Sequence, residues 1–100
     1  MASFTVEHQT SMSKDEAFKK VQKYFAESEG IKKLDSNLEC TFDEAHYTGS
    51  VKGSKFQCEF KFSGDDPTKV TIQVNLAFLL TPFKGKIQET LKTKMGQLLG

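Results

Sequence analysis

The sequence predicts an α+β domain in which a curved five-stranded antiparallel sheet is covered on one face by two helices. Five segments alternate apolar and polar side chains as strands do, and two repeat apolar side chains at the spacing of an amphipathic helix. The predicted order is β-α-β-β-β-β-α, and the short turns between successive strands favour an antiparallel meander. We expect residues 1–100 to form a single domain.

The N-terminal part of the chain supplies the first strand and the first helix. Residues 3–9 alternate in polarity, which predicts a strand. Ser13 followed by Glu16 is a capping box, so a helix is expected to begin there. Gly30 is the predicted stop of this helix. Its apolar stripe consists of Ala17, Phe18, Val21, Tyr24 and Phe25.

Four further strands are predicted in the middle of the chain. Each has one apolar and one polar side, which is typical of a sheet with one covered face and one wet face. They cover residues 38–42, 47–51, 56–62 and 70–76. We expect the first strand to pair beside the last, which leaves the second and third strands toward the open edge. Residues 63–67 are a predicted loop.

The last predicted element is a long amphipathic helix. Thr81 is a favourable N-cap and Pro82 suits the first helical position, so the helix is expected to begin there. Its apolar stripe consists of Phe83, Ile87, Leu91, Met95 and Leu98. Residues 81–100 hold four lysines and one acid, which gives a formal charge of +4 − 1 = +3.

Composition excludes several classes of function. The formal net charge is +1 and arginine is absent, so we expect no nucleic-acid partner and no guanidinium clamp for an anion. No apolar run reaches the roughly 18 residues that span a bilayer, and the N-terminus lacks a signal-peptide pattern. We therefore expect a cytoplasmic protein in which Cys40 and Cys58 are reduced.

The residues that most often carry chemistry have ordinary structural explanations here. Cys40 and Cys58 fall on inward-facing positions of neighbouring strands, where small buried hydrophobes are expected. His8 is expected to be a partly buried structural residue, and His46 to be exposed beside a turn. Their spacing matches no standard zinc motif. We expect no catalytic residue, no metal site and no cofactor.

The segment from Phe78 to Lys86 is more apolar and more basic than the end of a strand requires. Leu79 and Leu80 either bury as the chain turns the corner, or stay partly exposed and form a patch for an apolar surface or a protein partner. Lys84 and Lys86, at the predicted helix N-terminus, are either solvated surface residues or part of a weak site for an anion or a lipid head group. The candidate binding residues are Phe78, Leu79, Leu80, Phe83, Lys84, Gly85 and Lys86.

The core is expected to be built largely from phenylalanine, because the chain has nine Phe and no Trp. In a domain of 100 residues these rings should fill the space between sheet and helices, so we expect a packed core without a large cavity. The rings assigned to it are Phe4, Phe18, Phe25, Phe42, Phe56, Phe60, Phe62 and Phe83.

The final third of the chain has a distinctive order. An alternating strand runs into a leucine-rich corner, then P-F-K-G, then an amphipathic helix that carries an isoleucine. These residues are Leu76, Leu79, Leu80, Pro82, Phe83, Lys84, Gly85 and Ile87. In this respect the chain resembles the polyhydroxyalkanoic acid system family, small bacterial proteins associated with polyhydroxyalkanoate granule genes. The element order is also similar to that of a shortened helix-grip domain.

The resemblance implies a biological setting and no catalytic residues. We expect a non-enzymatic binding module, a monomer or weak homodimer, that meets a storage-granule surface or a granule-associated protein through the corner from Phe78 to Lys86. One alternative is a small carrier of acyl chains of the helix-grip kind, which requires a pocket between the last helix and the sheet. Another is a structural homodimer whose contact is the corner.

Overall fold

A computed structural model describes residues 2–27, 33, 37–64 and 67–100. Within them, the five predicted strands and two predicted helices are confirmed, and the strand ends lie within two residues of their predicted positions. The elements are β1 (Ala2–Thr10), α1 (Lys14–Glu27), β2 (Glu39–Asp43), β3 (Thr48–Lys52), β4 (Phe56–Ser63), β5 (Thr68–Leu76), a 3₁₀ helix (Phe78–Phe83) and α2 (Lys84–Leu99). The predicted stop at Gly30 and the loop residues 65–66 lie outside the described residues.

The strands form one antiparallel sheet in the order β1-β5-β4-β3-β2. β1 pairs with β5 over its whole length, from Ala2 opposite Leu76 to Thr10 opposite Thr68. The expected pairing of the first strand with the last is therefore confirmed. β2 and β3 lie toward the far edge, also as expected.

The register gives the sheet one apolar and one polar face. One inward row crosses all five strands through Val6, Ile72, Phe60, Gly49 and Phe42. Because side chains alternate along a strand, the neighbouring rows face outward and are polar. The two helices pack on the apolar face. Their buried side chains are Ala17, Phe18, Val21 and Phe25 in α1, and Leu91, Met95 and Leu99 in α2.

The first helix begins as the capping box predicts. Ser13 Oγ accepts a hydrogen bond from the backbone N–H of Glu16 at 3.2 Å, and Ser13 O accepts one from Ala17 N at 3.0 Å. The helix then places Phe18 edge-on against three rings. Its ring centroid lies 5.8 Å from Phe42, 5.8 Å from Tyr47 and 5.4 Å from Phe62. Such edge-to-face contacts close this part of the core.

The C-terminal end of α2 is held against β1. Thr10 Oγ1 donates a hydrogen bond to the backbone oxygen of Leu99, and His8 Nε2 lies 3.2 Å from the backbone oxygen of Gly100. Met95 and Leu99 are buried beneath this contact. His8 is thus half-buried and touches backbone, as predicted for a structural histidine.

The predicted start of the last helix is wrong. The chain coils into the 3₁₀ helix directly after β5, and α2 begins only at Lys84. Phe83, not Thr81, occupies the N-cap position, and no side chain caps the helix. The early coil has a physical reason: Leu80 N donates to Ala77 O at 2.9 Å, which turns the leucine side chain inward.

The expectation that both cysteines are buried is half right. Cys58 is buried and Cys40 is exposed. Cys40 stands opposite Val51 in the register and so belongs to an inward row. It nevertheless remains accessible because β2 is an edge strand, where a side chain has a neighbouring strand on one side only.

Candidate functional site

Large apolar side chains are exposed at the corner between β5 and α2. Phe78 is 81% exposed, Leu79 76% and Phe83 53%, and they are the exposed large hydrophobic residues of the described chain. We call these three residues the corner platform. Three exposed large apolar side chains within six residues of sequence make this corner a candidate interaction surface. Sequence analysis selected all three as candidate binding residues.

Leu80, the fourth apolar candidate, is not part of this surface. It is only 8% exposed and belongs to the core. The 3₁₀ geometry explains the split, because residues three apart lie on the same side and adjacent residues diverge by a third of a turn. Leu80 therefore turns toward the core, and Leu79, a third of a turn away, stays exposed. Of the two alternatives that the sequence left open, burial is correct for Leu80 and exposure is correct for Leu79.

A basic helix start adjoins the corner platform. Lys84, Gly85 and Lys86 form the first turn of α2, and all three are exposed. The turn contains no acidic residue and no side-chain cap, so no charge within it offsets the two lysines. A Cβ on Gly85 would meet nothing within 4 Å. Packing inside the protein therefore does not require glycine here.

Backbone hydrogen bonds fix the corner platform to the sheet. Ala77 N donates to Lys55 O at 2.8 Å, which ties the end of β5 to the turn that precedes β4. Lys84 N donates to Thr81 O and continues the coil into α2. The exposed rings are consequently presented on a hydrogen-bonded scaffold.

An apolar cleft opens between α1, α2 and the sheet, although the core residues that line it are at most 8% exposed. Its volume is about 650 Å³. The residues that line this inner cleft are Tyr24, Phe25, Phe56, Cys58, Val74, Leu76, Leu80, Phe83, Lys86, Ile87, Thr90, Leu91 and Lys94. Phe83 was expected to fill the core, but it is 53% exposed at the cleft, and α2 begins two residues later than predicted.

The charged groups at the inner cleft are all cationic. Lys86 and Lys94 line it, and the lining contains no Asp or Glu among the described residues. Cys58 also lines it, and burial raises the pKa of its thiol to about 12. A thiol with a raised pKa stays protonated and acts as an apolar wall, since the thiolate is the reactive form.

Comparison with known proteins places this geometry in a family. The model of the "putative polyhydroxyalkanoic acid system protein" family matches residues 4–99. The chain belongs to that family. The P-F-K-G sequence of this chain supplies Phe83 of the platform and the first two residues of α2.

Further comparisons define the fold and no more. No curated protein matches the sequence. The crystal structure of TTHA0849 from Thermus thermophilus is similar, with a TM-score of 0.66 and 12% identity over 97% of this chain and 94% of that chain. At that identity the likeness concerns the fold. Along the part of the chain that the structure describes, no helix is long and apolar enough to cross a membrane.

The opposite face of the sheet carries a polar trough that sequence analysis did not single out. Its volume is about 550 Å³, and its lining mixes Lys52 and Lys61 with Asp43 and Glu59. Ser50 Oγ is buried there without a hydrogen-bond partner. We call it the outer trough. The alternating polar positions of the strands are the sequence signal that indicates it.

The β2–β3 turn brings a histidine and a carboxylate together at the surface. His46 Nδ1 lies 2.7 Å from Asp43 Oδ2, and this hydrogen bond is the main reason that the pKa of Asp43 is below its usual value. Both groups are exposed in the β2–β3 turn, as predicted for His46. Across the described residues, no three His, Cys, Asp or Glu side chains converge as metal ligands would.

Proposed function

We propose that this protein is a non-enzymatic binding module that docks on polyhydroxyalkanoate storage granules in the cytoplasm through the corner platform. The observation that carries the proposal is the exposure of Phe78, Leu79 and Phe83 beside a basic helix start. The family description supplies the polymer. The protein acts as a monomer or weak homodimer.

The chemistry of an aliphatic polyester suits this surface. Its hydrocarbon portions can cover the exposed rings and leucine, and burying one such side chain contributes roughly 1.5–3 kcal/mol. Its ester carbonyls accept hydrogen bonds, which the ammonium groups of Lys84 and Lys86 can donate. A granule-associated protein with an apolar, acidic surface would be recognised through the same groups.

The test is co-sedimentation with purified polyhydroxyalkanoate granules over a range of protein concentrations. Phe78→Asp/Leu79→Asp removes two side chains that contribute little to the core. We expect it to weaken granule binding by about 100-fold, because the free energy of burying two apolar side chains is lost. Leu80 is left unchanged, since its burial means that substitution there would alter folding as well as binding.

The matched control is Gln22→Asp/Thr93→Asp, which adds the same two negative charges at exposed helix positions away from the corner. It should bind granules like the wild type. Unchanged binding by a folded Phe78→Asp/Leu79→Asp variant would overturn the proposal. Sedimentation velocity without granules tests the alternative of a structural dimer. If Phe78→Asp/Leu79→Asp abolished self-association and the control variant did not, while granule binding stayed intact, the granule-docking proposal would also be contradicted.

A further inference from the structure

We infer that the open edge of β1 pairs with β1 of a second copy of this chain, antiparallel and centred on Val6, so that two five-stranded sheets continue as one. The inference goes beyond granule docking and does not depend on it, because β1 lies outside the corner platform. It assigns a surface and a partner to self-association. The contact is made chiefly by backbone groups.

The two edges of the sheet differ in how well they are protected. Among the described strands, β1 and β2 each have a neighbour on one side only. Natural edge strands are commonly kept from pairing by shortness, charged residues, proline or a bulge. β2 has five residues and an acid at each end, Glu39 and Asp43. β1 has nine residues without lysine or proline, and it pairs with β5 residue for residue, without a bulge.

The alternation of hydrogen bonds shows which residues of β1 direct their backbone groups to the open edge. Phe62 N donates to Tyr47 O at 3.0 Å, so even-numbered residues of β4 bond to β3 and odd-numbered residues bond to β5. The bond from Ala77 N to Lys55 O agrees with this. Followed through the register of β5, the alternation bonds even-numbered residues of β1 to β5. The groups left pointing outward are the N–H and C=O of Ser3, Thr5, Glu7 and Gln9.

An antiparallel second copy centred on Val6 uses all of these outward groups. Ser3 then faces Gln9 of the second copy, Thr5 faces Glu7 of the second copy, and the two-fold symmetry repeats both pairs. Each pair exchanges two hydrogen bonds, which gives about eight across the contact. A register centred on Thr5 would leave Gln9 without an opposite residue in β1. The whole length of the strand therefore favours the register centred on Val6.

The side chains of β1 are self-complementary in this register. Glu7 is the acid of the strand, and Lys69 Nζ lies 3.3 Å from its Oε2, so its charge is already balanced within one copy. The register places Glu7 opposite the neutral Thr5 and not opposite a second Glu7. On the inward face Val6 meets Val6 of the second copy, and β-branched pairs of this kind stabilise neighbouring strands.

The antiparallel arrangement also keeps apart the two helix ends that contact β1. The C-terminal end of α2 is bound to Thr10, whose Oγ1 donates to Leu99 O. In the proposed register Thr10 faces Ala2 of the second copy. The two Thr10 residues are then eight positions apart along the strands, or about 26 Å. The two helix ends consequently lie at opposite ends of the contact.

The experiment is sedimentation velocity of the wild type from low micromolar to near-millimolar concentration. We expect a reversible equilibrium between monomer and dimer. A strict monomer over this whole range would overturn the inference. So would association into species larger than a dimer, since pairing of β1 with β1 consumes the edge that makes it.

Thr5→Pro tests the contact through the backbone. It removes an N–H that points away from β5, and proline is tolerated at such an edge position. We expect dimerisation to weaken at least about tenfold, because symmetry removes this donor twice. The control Thr5→Val keeps the N–H, and both variants lose the hydroxyl that donates to Gln73 Oε1. Equal dimerisation of the two folded variants, checked by circular dichroism, would contradict the inference.

Cross-linking tests the register and does not need the proline variant to fold. Cys40→Ser removes the exposed native thiol, and the thiol of Cys58 is buried with its pKa raised to about 12, so it does not compete. In that background, Thr5→Cys and Glu7→Cys copies are mixed and oxidised mildly with diamide. Residues paired in this way have Cα atoms about 5.5 Å apart, a distance that a disulfide can bridge. The mixture should cross-link several-fold more than either variant alone, and equal cross-linking in all three samples would refute the register.

The platform variant separates this contact from the corner. Phe78→Asp/Leu79→Asp should dimerise like the wild type while its granule binding is weakened. If it abolished dimerisation and Thr5→Pro did not, the contact would lie at the corner and the inference would be wrong. Granule binding by a strictly monomeric wild type would remove this inference and leave the granule proposal standing.

Discussion

The interior has a closed half and an open half, although both are built from the same kinds of side chain. In the closed half, around Phe18, α1 lies directly on the sheet and three aromatic rings surround that residue. In the open half, Phe56, Leu76 and Leu80 face the inner cleft. The difference shows that the position of a helix against the sheet, rather than the number of apolar residues, determines where a small core is fully packed.

The seating of α2 is uneven along its length. From Leu91 onward it buries Leu91, Met95 and Leu99, and its C-terminal end is tied to Thr10 of β1. In its N-terminal half Ile87 is only half-buried, and the first turn is exposed. The 3₁₀ helix takes up the chain between β5 and α2, so the lysine-bearing start of α2 lies at the rim of the cleft.

The largest expected effect is in the closed half. Phe18→Ala removes a fully buried ring that touches three others, and should lower the free energy of unfolding by about 3–5 kcal/mol. Urea denaturation followed by circular dichroism measures it. A loss below about 1 kcal/mol would mean that α1 is not seated on the sheet as described.

Leu80→Ala probes the open half and should cost less, about 1–2 kcal/mol, below the usual range for a buried leucine. The reason is that Leu80 borders an existing cleft, so truncation enlarges a space that is already there. The same denaturation experiment applies. A cost equal to that of Phe18→Ala would contradict the distinction between the two halves.

Glycine substitutions compare the two ends of α2. A Cβ at either Gly85 or Gly96 would meet nothing within 4 Å, so Gly85→Ala and Gly96→Ala should each raise the free energy of unfolding by about 0.5–1 kcal/mol. Thermal denaturation measures this. Because Gly85 adjoins the corner platform, only Gly85→Ala is expected to weaken granule binding. Equal granule binding by both variants would show that Gly85 is not part of the contact with the granule.

The smallest expected effect is pH-dependent and lies in the turn beside Tyr47. The pKa of Asp43 is below its ordinary value of 3.8, chiefly through the hydrogen bond from His46. A carboxylate with a lowered folded-state pKa contributes stability above its unfolded pKa and loses it as the pH falls. The difference in the free energy of unfolding between wild type and His46→Ala should therefore be present above pH 3.8 and disappear as the pH falls through the lower pKa of folded Asp43. Urea denaturation across this pH range measures the difference, and one that is constant with pH would contradict this.

The elements that the sequence predicted correctly are those that local patterns determine. Alternation along 56–62 and the Ser13 capping box identified β4 and the start of α1, because period-2 polarity and a side-chain cap act over a few residues. It could not separate Leu79 from Leu80, since the two are chemically identical and only the 3₁₀ coil distinguishes them. Likewise Cys40 and Cys58 share an inward register, and only the edge position of β2 exposes one of them.

The inner cleft was beyond sequence reasoning for a related reason. Its walls are residues expected in any apolar core, and the open space depends on where α2 begins. That position is set by the 3₁₀ helix from Phe78 to Phe83. The sequence Thr81-Pro82 is typical of an ordinary helix start and therefore predicts the wrong position. Lys86 and Lys94, eight positions apart, come to line the same cleft only after the helix is placed.

Hydroxyl-radical footprinting of the granule-bound protein tests the central claim most directly, because it shows which side chains the polymer covers. We expect Phe78, Leu79 and Phe83 to be protected from oxidation on granules, while Tyr47 and Cys40, remote from the corner, react as in the free protein. Undiminished oxidation of Phe78 and Leu79 on granules, with protection elsewhere on the sheet, would contradict docking through the corner platform.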